Sequence, residues 1–259
     1  MSFRDHFSGV SGDYSRYRPR YPQALFDWLA ATAPGRGVAW DCATGSGQAA
    51  EGLAPLFRRV EATDASEAQI RRAPALPGVR FRVATAEDSG MAEAAADLIT
   101  VAQALHWFDR DRFFTEAGRV LADDGLLAAW CYELCTVDPD IDALVLEFYR
   151  GPLGPWWPPE RRHIDAGYGT IGMPWPELET PEFHMEAEWE AGQMLGYLST
   201  WSALARCRKA AGIDPLADIA GRLEALWGPG PRRVRWPLAV RACRRPPRGN
   251  SDTDTCMPS

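Results

Sequence analysis

Two carboxylates twenty-three positions apart, the first followed at once by a small-residue turn, are the part of this chain best equipped for chemistry. The stretch D-C-A-T-G-S-G-Q runs from Asp41 to Gln48, and E-A-T-D-A-S from Glu61 to Ser66. Glycine lets a backbone approach a bound molecule closely, and a helix start offers N–H groups without partners. A carboxylate at the end of a second strand, here Asp64, can accept both hydroxyls of a ribose. The combination suits an adenosine-containing ligand. Gly45-x-Gly47-x-x-Ala50 also satisfies the dinucleotide fingerprint, in which the turn faces a pyrophosphate. Asp41 argues against that alternative, because a carboxylate repels pyrophosphate and attracts an ammonium group.

Such a turn needs strands that deliver both acids to one edge of a sheet. Short apolar segments at 38–41, 60–64, 79–83, 97–101 and 126–131 read as strands. Helical segments fall between them, at about 47–57, from Ser66 onward, near 88–95 and across 110–121. Ser66 and Gln69 have the spacing of a capping box. A first helix closes over 27–33 and is broken by Pro34-Gly35-Arg36-Gly37. Strand alternating with helix predicts a doubly wound, Rossmann-like α/β sheet. After Glu133 the rhythm changes to a helix over 139–149, a proline-rich connection, and a strand over 182–190. Helices over 193–211 and 215–227 and a strand over 232–243 complete a seven-stranded sheet with helical cap insertions. The expected organisation is an N-terminal segment and cofactor-binding core over 1–132, then cap helices and closing strands of the same domain over 133–245. A polar tail at 246–259 is expected to be disordered.

Composition narrows the class. With 259 residues, 46% of them apolar, the chain can bury a large core, and a net charge of −7 argues against a nucleic-acid groove. No run of eighteen apolar residues and no signal-peptide core occur, so a cytoplasmic protein is expected. The six cysteines form no C-x-x-C pair and no histidine lies at zinc spacing, so no metal site is expected. They read as buried thiols, with Cys42 set apart by its place in the turn.

Further motifs carry a resemblance. S-G-D-Y-S-R-Y-R-P-R-Y-P at Ser11–Pro22, Q-A-L-H-W-F-D at Gln103–Asp109, R-V-L-A-D-D-G at Arg119–Gly125 and L-G-Y-L-S-T-W-S-A at Leu195–Ala203 join the glycine turn. Together they resemble the class I S-adenosylmethionine-dependent methyltransferases, and within them the trans-aconitate methyltransferase-like branch. The resemblance implies that Asp41 and the turn Ala43–Gly47, with Gln48, hold the methionyl end of S-adenosylmethionine. It places Asp64, Ala65 and Ser66 at the ribose, Thr85, Ala86 and Glu87 at the adenine, and Gln103 and Ala104 beside the sulfonium. Tyr14, Tyr17 and Arg18 would fold over the cofactor. Two departures stand out: Ala43 replaces the first turn glycine, and Thr85 replaces an aspartate. Ala43 fits if its position needs no positive φ.

For the acceptor, Tyr21, Trp107, Tyr132, Trp157, Arg161, His163, Tyr168 and Trp201 are the candidate contacts. A cation beside an aromatic wall suits an anionic small molecule. His106 is the candidate proton acceptor, with shaping of the floor beneath the methyl group as its alternative role. The expected activity is methyl transfer to oxygen of a small molecule, with neither nucleic acid nor membrane as partner, by a monomer or homodimer. Three alternatives stand beside it: a cofactor-binding regulatory protein, a non-methylating enzyme on the same fold, and a nicotinamide-dependent oxidoreductase.

Overall fold

The computed structural model describes residues 19–248. The contacts expected of Tyr14, Tyr17 and Arg18 and the tail from 249 onward lie outside the described residues. The seven strands form one sheet in the order β3-β2-β1-β4-β5-β7-β6. They are β1 (Val38–Cys42), β2 (Arg59–Asp64), β3 (Val79–Val83), β4 (Ala96–Ala102), β5 (Leu121–Tyr132), β6 (Phe183–Trp189) and β7 (Arg232–Arg244). The first five run parallel, while β7 is antiparallel to both β5 and β6. Every residue of β1 is buried, as a central parallel strand covered on both faces requires.

Topology decides where a ligand can sit. From β1 the chain winds outward through β2 and β3, then returns to the other flank of β1 as β4. The crevice beyond the carboxyl ends of β1 and β4 is therefore the switch point of the sheet. Register brings Asp41 opposite Thr100 on β4 and Ala62 on β2. At the other end, Asp97 fixes the start of β1 by accepting the N–H groups of Gly37 and Val38 at 2.7 and 3.0 Å.

Helices cover the faces in the expected places, with two differences. The first four are α1 (Gln23–Thr32), α2 (Gln48–Leu53), α3 (Glu67–Arg72) and α4 (Arg110–Val120). The Ser66 side chain accepts the Gln69 N–H at the start of α3, as its spacing predicts. The helix expected near 88–95 is absent. Ser89 instead gives its N–H and its hydroxyl to Glu116 on α4, at 3.0 and 2.5 Å. Gly90 and Ala94 have φ of 64° and 51°, which a right-handed helix does not allow.

The cap is built from α5 (Pro139–Arg150), α6 (Arg161–Asp165), α7 (Ala191–Ser199), α8 (Ser202–Ala211) and α9 (Pro215–Trp227). The single helix expected over 193–211 is thus two. The Thr200 hydroxyl bonds back to the Tyr197 carbonyl at 2.7 Å, and Trp201 turns extended. The break seats the Trp201 indole against Phe148, Tyr149, Trp157 and Tyr197. That burial offsets the lost helical continuity. Among the described residues no helix is long and apolar enough to cross a membrane.

Candidate active site

The centre of the site is a carboxylate without access to water. Asp41 is 0% exposed, and it accepts hydroxyl hydrogens from Thr44 at 2.5 Å and Thr100 at 3.0 Å. The Ala50 N–H in the first turn of α2 is a further donor to it. Burial raises its pKa to about 6, against the lowering effect of these bonds. Asp41 therefore fastens β1, the turn, α2 and β4 together. The ammonium attraction expected of it would act from inside this network.

The turn itself is tightly wound. Ala43, Gly45 and Gly47 have φ of 54°, 58° and 92°. The condition under which alanine would fit at position 43, no positive φ, is thus not met: alanine occupies the left-handed region where glycine carries no Cβ penalty. At Gly45 a Cβ would meet nothing within 4 Å, so its backbone faces open space, whereas at Gly47 a Cβ would collide with the Phe81 ring. Asp64 at the end of β2 accepts the Gly45 N–H at 2.9 Å and the Ser66 N–H at 2.8 Å. A carboxylate offers about four acceptor sites, so holding the turn is compatible with receiving ribose hydroxyls. Ala65 lies half-buried between these two bonds. Gln48 donates to the Pro19 carbonyl at 2.7 Å and so ties the N-terminal segment to α2.

Beyond β3, Thr85 bridges to Asp88 and turns the chain, which leaves Ala86 buried and Thr85 exposed. Glu87 accepts the Asp109 N–H at 3.1 Å, linking this turn to the start of α4. At the end of β4, Gln103 is left-handed at φ 58° and donates its backbone N–H to the Trp130 carbonyl. Its side-chain Nε2 is buried without a hydrogen-bond partner, which is unusual for a native protein. Ala104 is buried and accepts the Trp107 N–H, forming a 3₁₀ turn over Leu105–Trp107.

That turn carries His106, which is 5% exposed and has its Nδ1 3.0 Å from the Tyr168 hydroxyl. Burial, then Arg161 and His163, push its pKa down to about 3. A neutral imidazole with so low a pKa is a poor proton acceptor. Arg161 lies on α6 with its guanidinium over the rings of Trp157 and Tyr149, 4.7 and 5.2 Å from their centroids. Its Nε donates to the Tyr149 hydroxyl at 2.8 Å and to Asp165 at 3.2 Å. Its two terminal nitrogens have no hydrogen bond among the described residues.

Other candidates take different places. His163 turns toward Thr170, with Nδ1 2.6 Å from the hydroxyl, and Trp201 is packed inside the cap. Tyr21 stands edge-on to Trp130, while Tyr132 closes β5 in the core. Trp107 packs against His106 with centroids 4.7 Å apart and the rings tilted by 45°. Cys42 is buried, and its thiol is pushed well above the ordinary range, first by burial and then by Asp41, so it is inert. Sequence reasoning missed Thr44, Thr100 and Tyr149. Thr44 stood within the quoted motif, and the Arg161/Asp165 spacing marked a helical ion pair; nothing marked Thr100 or Tyr149.

A seven-stranded sheet in this order, with a glycine turn and an acid at the switch point, defines a class I methyltransferase fold. Residues 40–129 match the methyltransferase domain family. A Dictyostelium discoideum protein named as a methyltransferase is 33% identical over 221 residues, 84% of each chain. The solved structure of an Anaeromyxobacter dehalogenans protein described as a type II methyltransferase is 51% identical, with a TM-score of 0.84 over 89% of this chain and 99% of that one. A Saccharomyces cerevisiae protein named as an S-adenosylmethionine-dependent methyltransferase is 30% identical over 131 residues, 47% of this chain and 45% of its own. The chain belongs to the methyltransferase family.

Two predictions follow from the turn. Asp41 has a folded-state pKa above its ordinary 3.8. Its favourable contribution is complete below that value and disappears as the pH rises through about 6. Ionisation of the buried group costs about 3 kcal/mol. Asp41→Asn, which can keep both threonine bonds, is expected to gain stability over wild type by up to that amount between pH 4 and pH 7. A difference in Tm that stays constant over this range would refute the assignment. Ala43→Gly relieves the left-handed alanine and is expected to stabilise the protein by about 1 kcal/mol in chemical denaturation. A loss of stability would mean that the Ala43 methyl contributes more by packing than its backbone costs.

Proposed function

We propose that this protein is an S-adenosylmethionine-dependent O-methyltransferase of the trans-aconitate methyltransferase-like branch, acting on a small molecule through a carboxylate or hydroxyl. One observation carries the reading: the switch-point crevice presents an open backbone at Gly45, the carboxylate of Asp64 and the unpartnered amide of Gln103 together. These fit a ligand with ribose hydroxyls for Asp64, a part that approaches the Gly45 backbone closely, and an acceptor such as an amino-acid carboxylate for the Gln103 N–H group. Ala43–Gly47 would hold the methionyl end, Asp64 to Ser66 the ribose, Thr85 to Glu87 the adenine edge, and Gln103 and Ala104 the sulfonium side. When bound, S-adenosylmethionine supplies an electrophilic methyl group on a good leaving group.

The protein's own work is then alignment, exclusion of water and handling of charge. The acceptor oxygen has to be held about 3 Å from the methyl carbon. Arg161, pinned at Nε by Tyr149 and Asp165, offers two terminal nitrogens in the fixed fork that suits a carboxylate. Trp157, Trp107 and Tyr21 would wall off water. A carboxylate acceptor is already ionised at neutral pH and needs no base. The low basicity of His106 supports that half of the proposal over the hydroxyl half.

Calorimetric titration with S-adenosylhomocysteine tests the cofactor assignment. Wild type is expected to bind, and Asp64→Ala to bind at least tenfold more weakly at unchanged fold; equal affinity would sink the ribose role. Mass spectrometry of a panel of small carboxylic acids and matched alcohols, with S-adenosylmethionine present, tests the acceptor class. Methyl esters are expected, and methyl ethers alone would overturn the carboxylate preference. With any ester-forming acid, Arg161→Ala should raise the acceptor KM about tenfold or more with little change in kcat. A change in Tm alone would make Arg161 structural.

A further inference from the structure

Tyr168 is the one aromatic residue with a positive φ among the described residues. It has φ 62° directly after Gly167 at 54°, two successive left-handed residues, the second with a bulky side chain. Such a backbone is strained and persists only where its surroundings over-determine it. Here the surroundings are explicit. The Tyr168 N–H bonds to the His163 carbonyl at 2.7 Å, and Arg241, paired with Glu177, donates to the Tyr168 and Ile171 carbonyls. The ring is 0% exposed. Its hydroxyl lies 3.0 Å from His106 Nδ1.

Proton counting fixes the roles. A buried phenol has one hydrogen to give, and among the described residues the imidazole nitrogen is the one acceptor within its reach. The hydrogen therefore goes to His106 Nδ1, which must be unprotonated, and the imidazole hydrogen resides on Nε2. We propose that Tyr168 is a positioning residue that locks His106 as an Nε2–H donor and holds the 3₁₀ turn Leu105–Trp107 at the end of β4. The strained backbone is what delivers the phenol oxygen to the open end of that turn. His106 then presents a hydrogen-bond donor in place of a basic nitrogen. Arg161 and His163, the charged and titratable groups that act on it, oppose its protonation. The use of that donor toward an anionic acceptor rests on the methyl-transfer proposal; the tautomer itself does not.

Long-range ¹⁵N–¹H spectra of the histidine rings in the full-length protein, without added ligand, decide the matter. In wild type, His106 is expected to show a protonated Nε2 and an unprotonated, hydrogen-bonded Nδ1 throughout pH 5–8, with no titration. In Tyr168→Phe, with thermal unfolding confirming a folded protein, the Nδ1 resonance is expected to shift and the ring to begin titrating at a higher pH. A wild-type ring protonated on Nδ1 overturns the proposal without any variant. So does a folded Tyr168→Phe whose His106 resonances and titration match wild type. Failure of methyl-transfer assays would leave both readouts in place, so the two proposals fail separately.

Discussion

The site is organised around one constraint: a fully buried carboxylate must be satisfied without water. Asp41 emerges from the central strand where its neighbours are apolar, and an uncompensated charge there would cost several kcal/mol. Three donors answer it, one each from the turn, β4 and α2. For Thr44 to reach back toward β1, the chain must reverse within two residues, and the left-handed conformation of Ala43 accomplishes this. The same reversal aims the Gly45 N–H at Asp64, which closes the turn from the β2 side. The shape that would receive a ligand is thus a by-product of solving a desolvation problem.

A second pole lies across the strand ends, with the opposite character. Arg161, the lowered basicity of His106 and the donor amide of Gln103 make this side rich in positive charge and N–H groups. Asp41 and Asp64 make the other side acidic, close enough for Asp64 to raise the Asp41 pKa further. A cationic cofactor and an anionic acceptor would each find the complementary side, so the charge distribution favours reactants of opposite sign in the orientation that methyl transfer needs. Oriented groups of this kind act at full strength only where water is excluded, which on the proposed function would be the work of the aromatic cap.

Much of this was legible because it is local. The strand over 79–83 and the helix over 215–227 follow directly from apolar periodicity and flanking breakers, and their observed bounds coincide with the expected ones. The Ser66 cap is a three-residue relation. The failures are non-local. Nothing near Asp88 announces that Glu116 on a later helix captures the Ser89 amide and hydroxyl, so a helix looked reasonable there. The split at Thr200 depends on a tryptophan finding an aromatic pocket built from residues fifty positions away. At the site, Asp41, Gly45 and Asp64 could be read from spacing, whereas Thr100 enters only through strand register. The ionisable character of His106 suggested a base, and only its burial and its contact with Tyr168, sixty-two positions on, argue against that role.

Backbone strain locates the working part of the molecule independently of any motif. Five non-glycine residues among those described have positive φ: Ala43, Ala94, Gln103, Asp124 and Tyr168. Ala94, in a turn, and Asp124, near the start of β5, are both exposed, where an unusual conformation disturbs little. The other three border the crevice, after β1, after β4 and above the 3₁₀ turn. Each has a partner that repays part of the strain: Asp41 through Thr44, the Trp130 carbonyl for Gln103, and His106 for Tyr168. Strain of this size survives only when neighbouring contacts over-determine the geometry. Three such points around one opening imply that position there is held more tightly than folding alone demands. For an in-line displacement, where a misplacement of 1 Å can cost about 10²-fold in rate, that rigidity is the property the reaction uses.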